Sequence, residues 1–192
     1  MLKRGLLPIL VLLFIIVVLV KAMEVFQVDV VEADASKFVL EDLRSRYPDA
    51  DLEIMSTIQK VNELGRRYFE LKAKVTEDPL SPCPKRSHIY YNYPIQNFVP
   101  QTPEIITTNC TVCSEGICTI AFPEEAVIAS HTLSGTEVIR SYLLSNPDAV
   151  PTVSEGPESW LVRWDADGAS SYYVVDLHRN GSVLSITRNE KS

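Results

Sequence analysis

The sequence predicts an α+β protein with a transmembrane helix followed by two units, each one helix packed on an antiparallel meander. Three observations support this prediction. The N-terminus is apolar, hydrophobic residues later recur at helical and then at strand spacing, and that order occurs twice. We divide the chain into an anchor at 1–26, a first unit at 27–93, a connector at 94–133 and a second unit at 134–192. The connector is rich in proline and stapled by disulfides, and we expect it to run extended along the surface.

The first 26 residues have the composition of an export signal. Lys3 and Arg4 precede an apolar run that extends over residues 6–20. That run is shorter than a hydrocarbon core of about 30 Å requires, but its continuation to residue 26 provides an adequate span. We therefore expect a signal anchor that contacts the membrane through residues 6–26.

The two basic residues also predict the orientation of the chain, because positive charges stay on the cytoplasmic side. We expect a single-pass protein of the cell membrane with a cytoplasmic N-terminus and with residues 27–192 on the extracytoplasmic side. Two alternatives remain open. One is a secretory peptide cleaved near Ala22, and the other is a pilin-type signal processed after Gly5.

The charge distribution excludes one class of partner. The formal net charge is -7, and no basic cluster follows Arg4. Binding to nucleic acid requires lysine and arginine side chains that neutralise phosphates, so we expect no nucleic acid partner.

The first unit is predicted from a change of period. A helix ends before Pro48, and alternation then runs from Leu52 to Val75 around a turn at 63–66, which indicates a β-hairpin. The stretch SHIYYNY, residues 87–93, adds a third strand. The apolar face of the helix comprises Phe38, Val39, Leu43 and Tyr47.

The second unit repeats this plan. Ser134 caps a helix whose apolar face includes Ile139 and Tyr142, and three strands follow at 159–164, 171–178 and 182–187. Asn180 and Gly181 form the strongest short hairpin signal, because such turns need positive φ. Pro-Asp-Ala follows both predicted helices, at 48–50 and 147–149, which favours an internal duplication.

The stretch SYYVVDLHRNGSVLSI, residues 171–186, follows a helix and a strand with tryptophan. It resembles the end of a PepSY domain, or more broadly a cystatin-like αβββ unit. The resemblance covers about residues 134–188 and, less clearly, 34–93. It implies a small extracytoplasmic domain that binds or restrains a partner. No catalytic residue is transferred, so we expect neither enzymatic activity nor a cofactor.

The four cysteines are interpreted as two disulfides. Cys113 and Cys118 flank a four-residue turn, so antiparallel strands would place them opposite each other, which leaves Cys83 for Cys110. An even number of cysteines in an exported segment favours disulfides over free thiols.

The cysteines allow two other interpretations. The C-x2-C spacing of Cys110 and Cys113 occurs in zinc sites, where His88 or His131 could replace a thiolate, but a second tight pair is missing. The same two cysteines could exchange disulfides, although no helix opens at this pair as in redox motifs. We predict no metal site.

Exposed candidates for modification and binding are also found. Asn109 and Asn180 match the glycosylation sequon. Tyr90, Tyr91 and Tyr93 are closely spaced amphipathic rings that could form a partner-binding patch.

The leading functional hypothesis is a membrane-anchored extracytoplasmic module that binds a protein or peptide without catalysis, in a regulatory or inhibitory role. The alternative is a structural or assembly subunit of an envelope complex or filament. A third hypothesis is a thiol oxidoreductase.

Overall fold

The computed structural model describes residues 11–19, 31–63, 65–94, 102–113 and 118–191. These residues form an α+β structure with two four-stranded antiparallel sheets. The elements are, in chain order, α1 (residues 11–19), α2 (Glu32–Arg46), β1 (Asp51–Val61), β2 (Arg67–Glu77), β3 (Lys85–Tyr93), β4 (Glu104–Thr107), α3 (Pro123–Thr132), α4 (Glu137–Ser145), β5 (Val150–Glu155), β6 (Ser159–Asp165), β7 (Ser171–His178) and β8 (Val183–Glu190).

The first sheet has the strand order β1-β2-β3-β4 and buries one face under α2. Side chains alternate across a strand, so every second residue of β2 reaches this core. The helix contributes residues at a spacing of four, which keeps them on one stripe. The core residues are Ala35, Val39, Leu43, Phe69, Leu71, Ala73, Val75, Ile89 and Tyr91.

The second sheet has the strand order β5-β6-β7-β8 and is covered by α3 and α4. Trp164 is completely buried, and its indole N–H donates to Ser130 Oγ of α3 at 2.8 Å. The indole N–H of Trp160 donates to the carbonyl of Ile120 at 3.0 Å. Both large aromatic residues therefore bury their rings without leaving the indole N–H unpaired.

The predicted αβββ units are wrong in their number of strands, because each sheet has a fourth strand. β4 falls in the proline-rich segment that was predicted to be a connector, and β5 contains Pro151. Proline cannot donate to a sheet ladder, but it is tolerated on an edge strand, and both strands lie at edges. The prolines therefore indicate edge strands here and not the absence of strands.

The second unit also has two helices instead of one. α3 lies within residues 94–133, which were expected to run extended along the surface, and most of its side chains are buried. The start of this helix has a recognisable signal: Pro123 occupies its first turn, and the Glu125 carboxylate accepts the backbone N–H of Phe122 at 3.0 Å.

The predicted transmembrane helix is contradicted by the structure. No helix within the described residues is long and apolar enough to cross a membrane. Of the predicted anchor, residues 11–19 form α1, whereas 1–10 and 20–26 lie outside the described residues. The predicted single-pass localisation in the cell membrane, with residues 27–192 outside, is corrected by the same finding.

The helix directly before the first strand of each sheet, α2 or α4, ends in the same way. The N–H of Ala50 donates to the carbonyl of Tyr47 at 3.3 Å, and the N–H of Ala149 donates to that of Asn146 at 3.0 Å. Both hydrogen bonds close the Pro-Asp-Ala turn before the first strand of each sheet. The repeated tripeptide therefore has one structural role at both positions.

Candidate functional site

The face of the first sheet that points away from α2 is polar. Arg86, His88 and Tyr90 alternate along β3 on this face, and they pair with Thr76, Lys74 and Lys72 of β2. Glu104 of β4 lies opposite His88. Because paired residues share a face, charged side chains from three neighbouring strands meet here.

The tyrosines of β3 do not form one patch. The Tyr90 hydroxyl donates to Glu104 Oε2 at 2.6 Å on the polar face. Tyr91 points to the α2 side, is 2% exposed and donates to Asp42 at 2.8 Å. The Tyr93 ring is half-buried, with its centroid 5.4 Å from that of Phe38. Because side chains alternate along a strand, Tyr90 and Tyr91 lie on opposite faces of the sheet. The partner-binding role of Tyr90, Tyr91 and Tyr93 remains a prediction.

A buried ion pair joins the first sheet to the second unit. Arg86 Nη1 lies 2.8 Å from Glu124 Oε2 of α3, and the two side chains are 5% and 8% exposed. The Thr76 hydroxyl donates to the other oxygen of Glu124 at 2.7 Å. The Arg86 guanidinium also lies 3.9 Å from the centroid of the Phe122 ring. Burial raises the pKa of Glu124, but hydrogen bonds from Thr76 and Arg86 outweigh it and keep the pKa below its ordinary value.

Two hydrogen bonds determine which nitrogen of His88 carries the proton. The guanidinium of Arg86 can only donate, and its Nε lies 3.0 Å from His88 Nε2, which therefore accepts. The proton then resides on Nδ1, which donates to Glu104 at 3.2 Å. Burial lowers the pKa of His88 despite this carboxylate. Hydrogen bonds from Tyr90 and then His88 lower the pKa of Glu104 to about 2.

The cysteines form the two predicted disulfides. Cys83 precedes β3 and Cys110 follows β4, and their Cα atoms are 5.1 Å apart. The Cα atoms of Cys113 and Cys118 are 4.6 Å apart. The alternative pairing of Cys110 with Cys113, as a zinc ligand pair or a redox pair, is not present.

His131 of α3 lies beside the first disulfide. Its Nε2 is 3.8 Å from Cys110 Sγ and 2.8 Å from the carbonyl oxygen of Pro82. The sulfur atoms of Cys83 and Cys110 and the ring nitrogen lie within 4.8 Å of one another. This is a metal-ligand set in composition, but the disulfide occupies both sulfur atoms and leaves only the imidazole as a donor.

The second disulfide packs against the hairpin turn between β7 and β8. Gly181 has a φ of 84°, and a Cβ atom added to it would overlap Cys118 Sγ and lie 3.4 Å from Cys113 Sγ. The sequence predicted positive φ in the Asn180-Gly181 turn. Within the described residues Gly181 has it, and Asn180 is not among the residues with positive φ. Gly181 is needed for its conformation and for the space beside the disulfide.

Replacement of Gly181 by alanine is expected to lower the free energy of unfolding by at least about 1 kcal/mol, because strain and steric overlap add. Urea unfolding followed by circular dichroism measures the change. The control is Gly168→Ala, since a Cβ there meets no heavy atom within 4 Å and φ is not positive. Equal stability of the two variants would contradict the prediction.

Both sequons are exposed. Asn109 precedes Cys110, and the side-chain oxygen of Asn180 accepts the hydroxyl of Ser182 at 2.7 Å. Glycosylation at Asn109 and Asn180 remains a prediction.

The four edge strands differ in how they are protected against a further strand. β4 has four residues, β5 contains proline, and β8 is mostly polar. These features discourage edge pairing. β1 has eleven residues and exposes Met55, Ile58 and Val61. Within the described residues it pairs only with β2.

No protein-family model matches this chain, and no curated protein matches it. Among solved structures, it is similar to a candidate lipoprotein of Clostridium difficile 630. The two chains are 9% identical, with a TM-score of 0.24 over 79% of this chain and 90% of that one.

Proposed function

We propose that this protein is a non-catalytic module that binds an extended peptide or protein segment by strand addition to the outer edge of β1. The observation that carries the proposal is the long, exposed edge of this strand, with apolar side chains at its centre. Main-chain hydrogen bonds to such an edge supply affinity, and neighbouring side chains supply specificity. The resemblance to PepSY-like and cystatin-like units, which implies binding or restraint of a partner, favours the same role.

The charges of β1 indicate which peptide fits. Asp51 and Glu53 lie at its beginning, Lys60 lies near its end, and residues 54–59 are uncharged. A register shift at Met55 separates the acidic end from residues 56–61, and both parts pair with β2. An antiparallel ligand strand would place its N-terminal end beside Lys60 and its C-terminal end beside the acidic residues. We therefore expect an acidic residue, an apolar centre and a basic residue, in that order.

Two side chains allow a matched test. Ile58 is 50% exposed on β1, and Leu184 is 54% exposed on β8, the edge strand of the other sheet. The probe is an eight-residue peptide with glutamate near its N-terminus, alternating valine and threonine, and lysine near its C-terminus. Amide hydrogen exchange and NMR shift changes report where it binds.

Replacement of Ile58 by lysine is expected to weaken binding of this peptide at least about tenfold, because an apolar contact worth about 1.5 kcal/mol or more is lost. Leu184→Lys is expected to leave the affinity unchanged. A peptide N-methylated at alternate residues is expected not to bind. Protection of β8 and not β1, or binding that is insensitive to Ile58→Lys, would contradict the proposal.

A further inference from the structure

The disulfide between Cys83 and Cys110 lies beside the imidazole of His131. Among the described residues, no histidine lies in this way beside the other disulfide. Within 4 Å of Cys110 Sγ lies the Nε2 atom of His131, a side chain that is only 7% exposed. The imidazole is held in place by α3 and by the Trp164 ring, whose centroid is 5.8 Å away. Both sulfur-bearing residues are half-buried.

The proton of His131 is located by a hydrogen bond. A carbonyl oxygen can only accept, and that of Pro82 lies 2.8 Å from Nε2. Nε2 therefore carries the proton, and this nitrogen lies 3.8 Å from Cys110 Sγ. Burial lowers the pKa of His131 although the Pro82 carbonyl raises it, so the ring is neutral near pH 7.

This tautomer favours disulfide chemistry over metal binding. A metal ion would bind Nε2 through the lone pair of this nitrogen. That lone pair is not free, because Nε2 carries the proton that it donates to the Pro82 carbonyl. An N–H beside sulfur instead stabilises a thiolate, and a thiol with a lowered pKa leaves a disulfide faster.

We propose that Cys83–Cys110 is an exchange-active disulfide that reacts with a dithiol reductant, with Cys110 as the leaving thiolate and the His131 N–H as its hydrogen-bond donor. This proposal is independent of peptide binding at β1.

The exchange takes place in two displacements. A thiolate of the reductant attacks Cys83 Sγ and forms a mixed disulfide, the Cys83–Cys110 bond breaks, and its electron pair leaves on Cys110 Sγ. The N–H of His131 turns from the Pro82 carbonyl to this thiolate. The second thiol of the reductant, as a thiolate, then attacks the reductant sulfur of the mixed disulfide and releases Cys83. The protein disulfide gains two electrons and two protons, and the dithiol loses them.

The test uses the full chain and dithiothreitol as the dithiol. Aliquots are quenched by alkylation, and peptide mass spectrometry gives the reduced fraction of each cysteine pair with time. We expect Cys83–Cys110 to be reduced at least about tenfold faster than Cys113–Cys118, which serves as the internal control.

A pH profile separates this role of His131 from a structural one. In the reduced protein, the alkylation rate of each cysteine rises with pH as its thiol ionises, and the ordinary pKa of a cysteine thiol is about 8.5. We expect the rate for Cys110 to reach half its maximum at a pH about one unit lower than the rate for Cys83. His131→Leu removes this N–H donor and is expected to abolish the difference. Arg140 of α4, which lowers the pKa of His131, is unchanged in both proteins.

Three results would overturn the proposal: equal reduction rates for both disulfides, equal pH midpoints for Cys83 and Cys110 in the wild-type protein, or stoichiometric Zn²⁺ binding by the reduced protein that requires His131. The first two results come from the wild-type chain alone, so they test the proposal even if His131→Leu does not fold.

Discussion

Replacing Trp164 by alanine is expected to lower the free energy of unfolding by about 4 kcal/mol. The side chain projects from β6 and is completely buried against α3, so its removal leaves a large cavity. It also removes the donor to Ser130 Oγ, although that hydroxyl keeps its own bond to the Val127 carbonyl at 2.7 Å. Denaturant unfolding followed by far-UV circular dichroism measures the loss.

The control for this variant lies on the same strand. Leu161 is 39% exposed on the opposite face of β6. Leu161→Ala is expected to lower the free energy of unfolding by less than about 1 kcal/mol, because this side chain buries little apolar surface. Similar losses for both variants would show that Trp164 is not the centre of the second core.

Replacing Arg86 by methionine is expected to lower the free energy of unfolding by about 3 to 5 kcal/mol, because it leaves the Glu124 carboxylate buried without its cation. The double variant Arg86→Met with Glu124→Leu is expected to be more stable than Arg86→Met alone, because it removes the uncompensated charge. Urea unfolding of the wild type, both single variants and the double variant gives the coupling free energy.

An exposed ion pair provides the comparison. Lys37 and Glu41 of α2 are 74% and 63% exposed, so Lys37→Met is expected to change stability by less than about 1 kcal/mol. A coupling free energy near zero between Arg86 and Glu124 would mean that this pair does not hold the first sheet to the second unit.

The strands were predictable where burial on one face imposed alternation. In β2, apolar residues alternate with lysine and threonine, and the apolar ones are Leu71, Ala73 and Val75. β4 and β5 were not predictable in this way, because an edge strand need not alternate and tolerates proline. Helix α3 was missed because its residues are buried on most sides and show no polar stripe, although Pro123 and Glu125 mark its start.

The tyrosine segment was misjudged for a different reason. Sequence spacing suggested that Tyr90 and Tyr91 act together, but neighbouring residues of a strand point to opposite faces. Tyr90 consequently meets Glu104, whereas Tyr91 lies against α2 with Asp42 and Arg46.

By itself, the sequence determined the features that depend on nearby residues. The alternation of β2, the Asn-Gly turn and the pairing of Cys113 with Cys118 all follow from short spacings. Only the tertiary structure decided which distant groups meet: Arg86 with Glu124, and Cys110 with His131. These contacts join segments 38 and 21 residues apart, and no local pattern encodes them, because they depend on how α3 packs beside the first sheet.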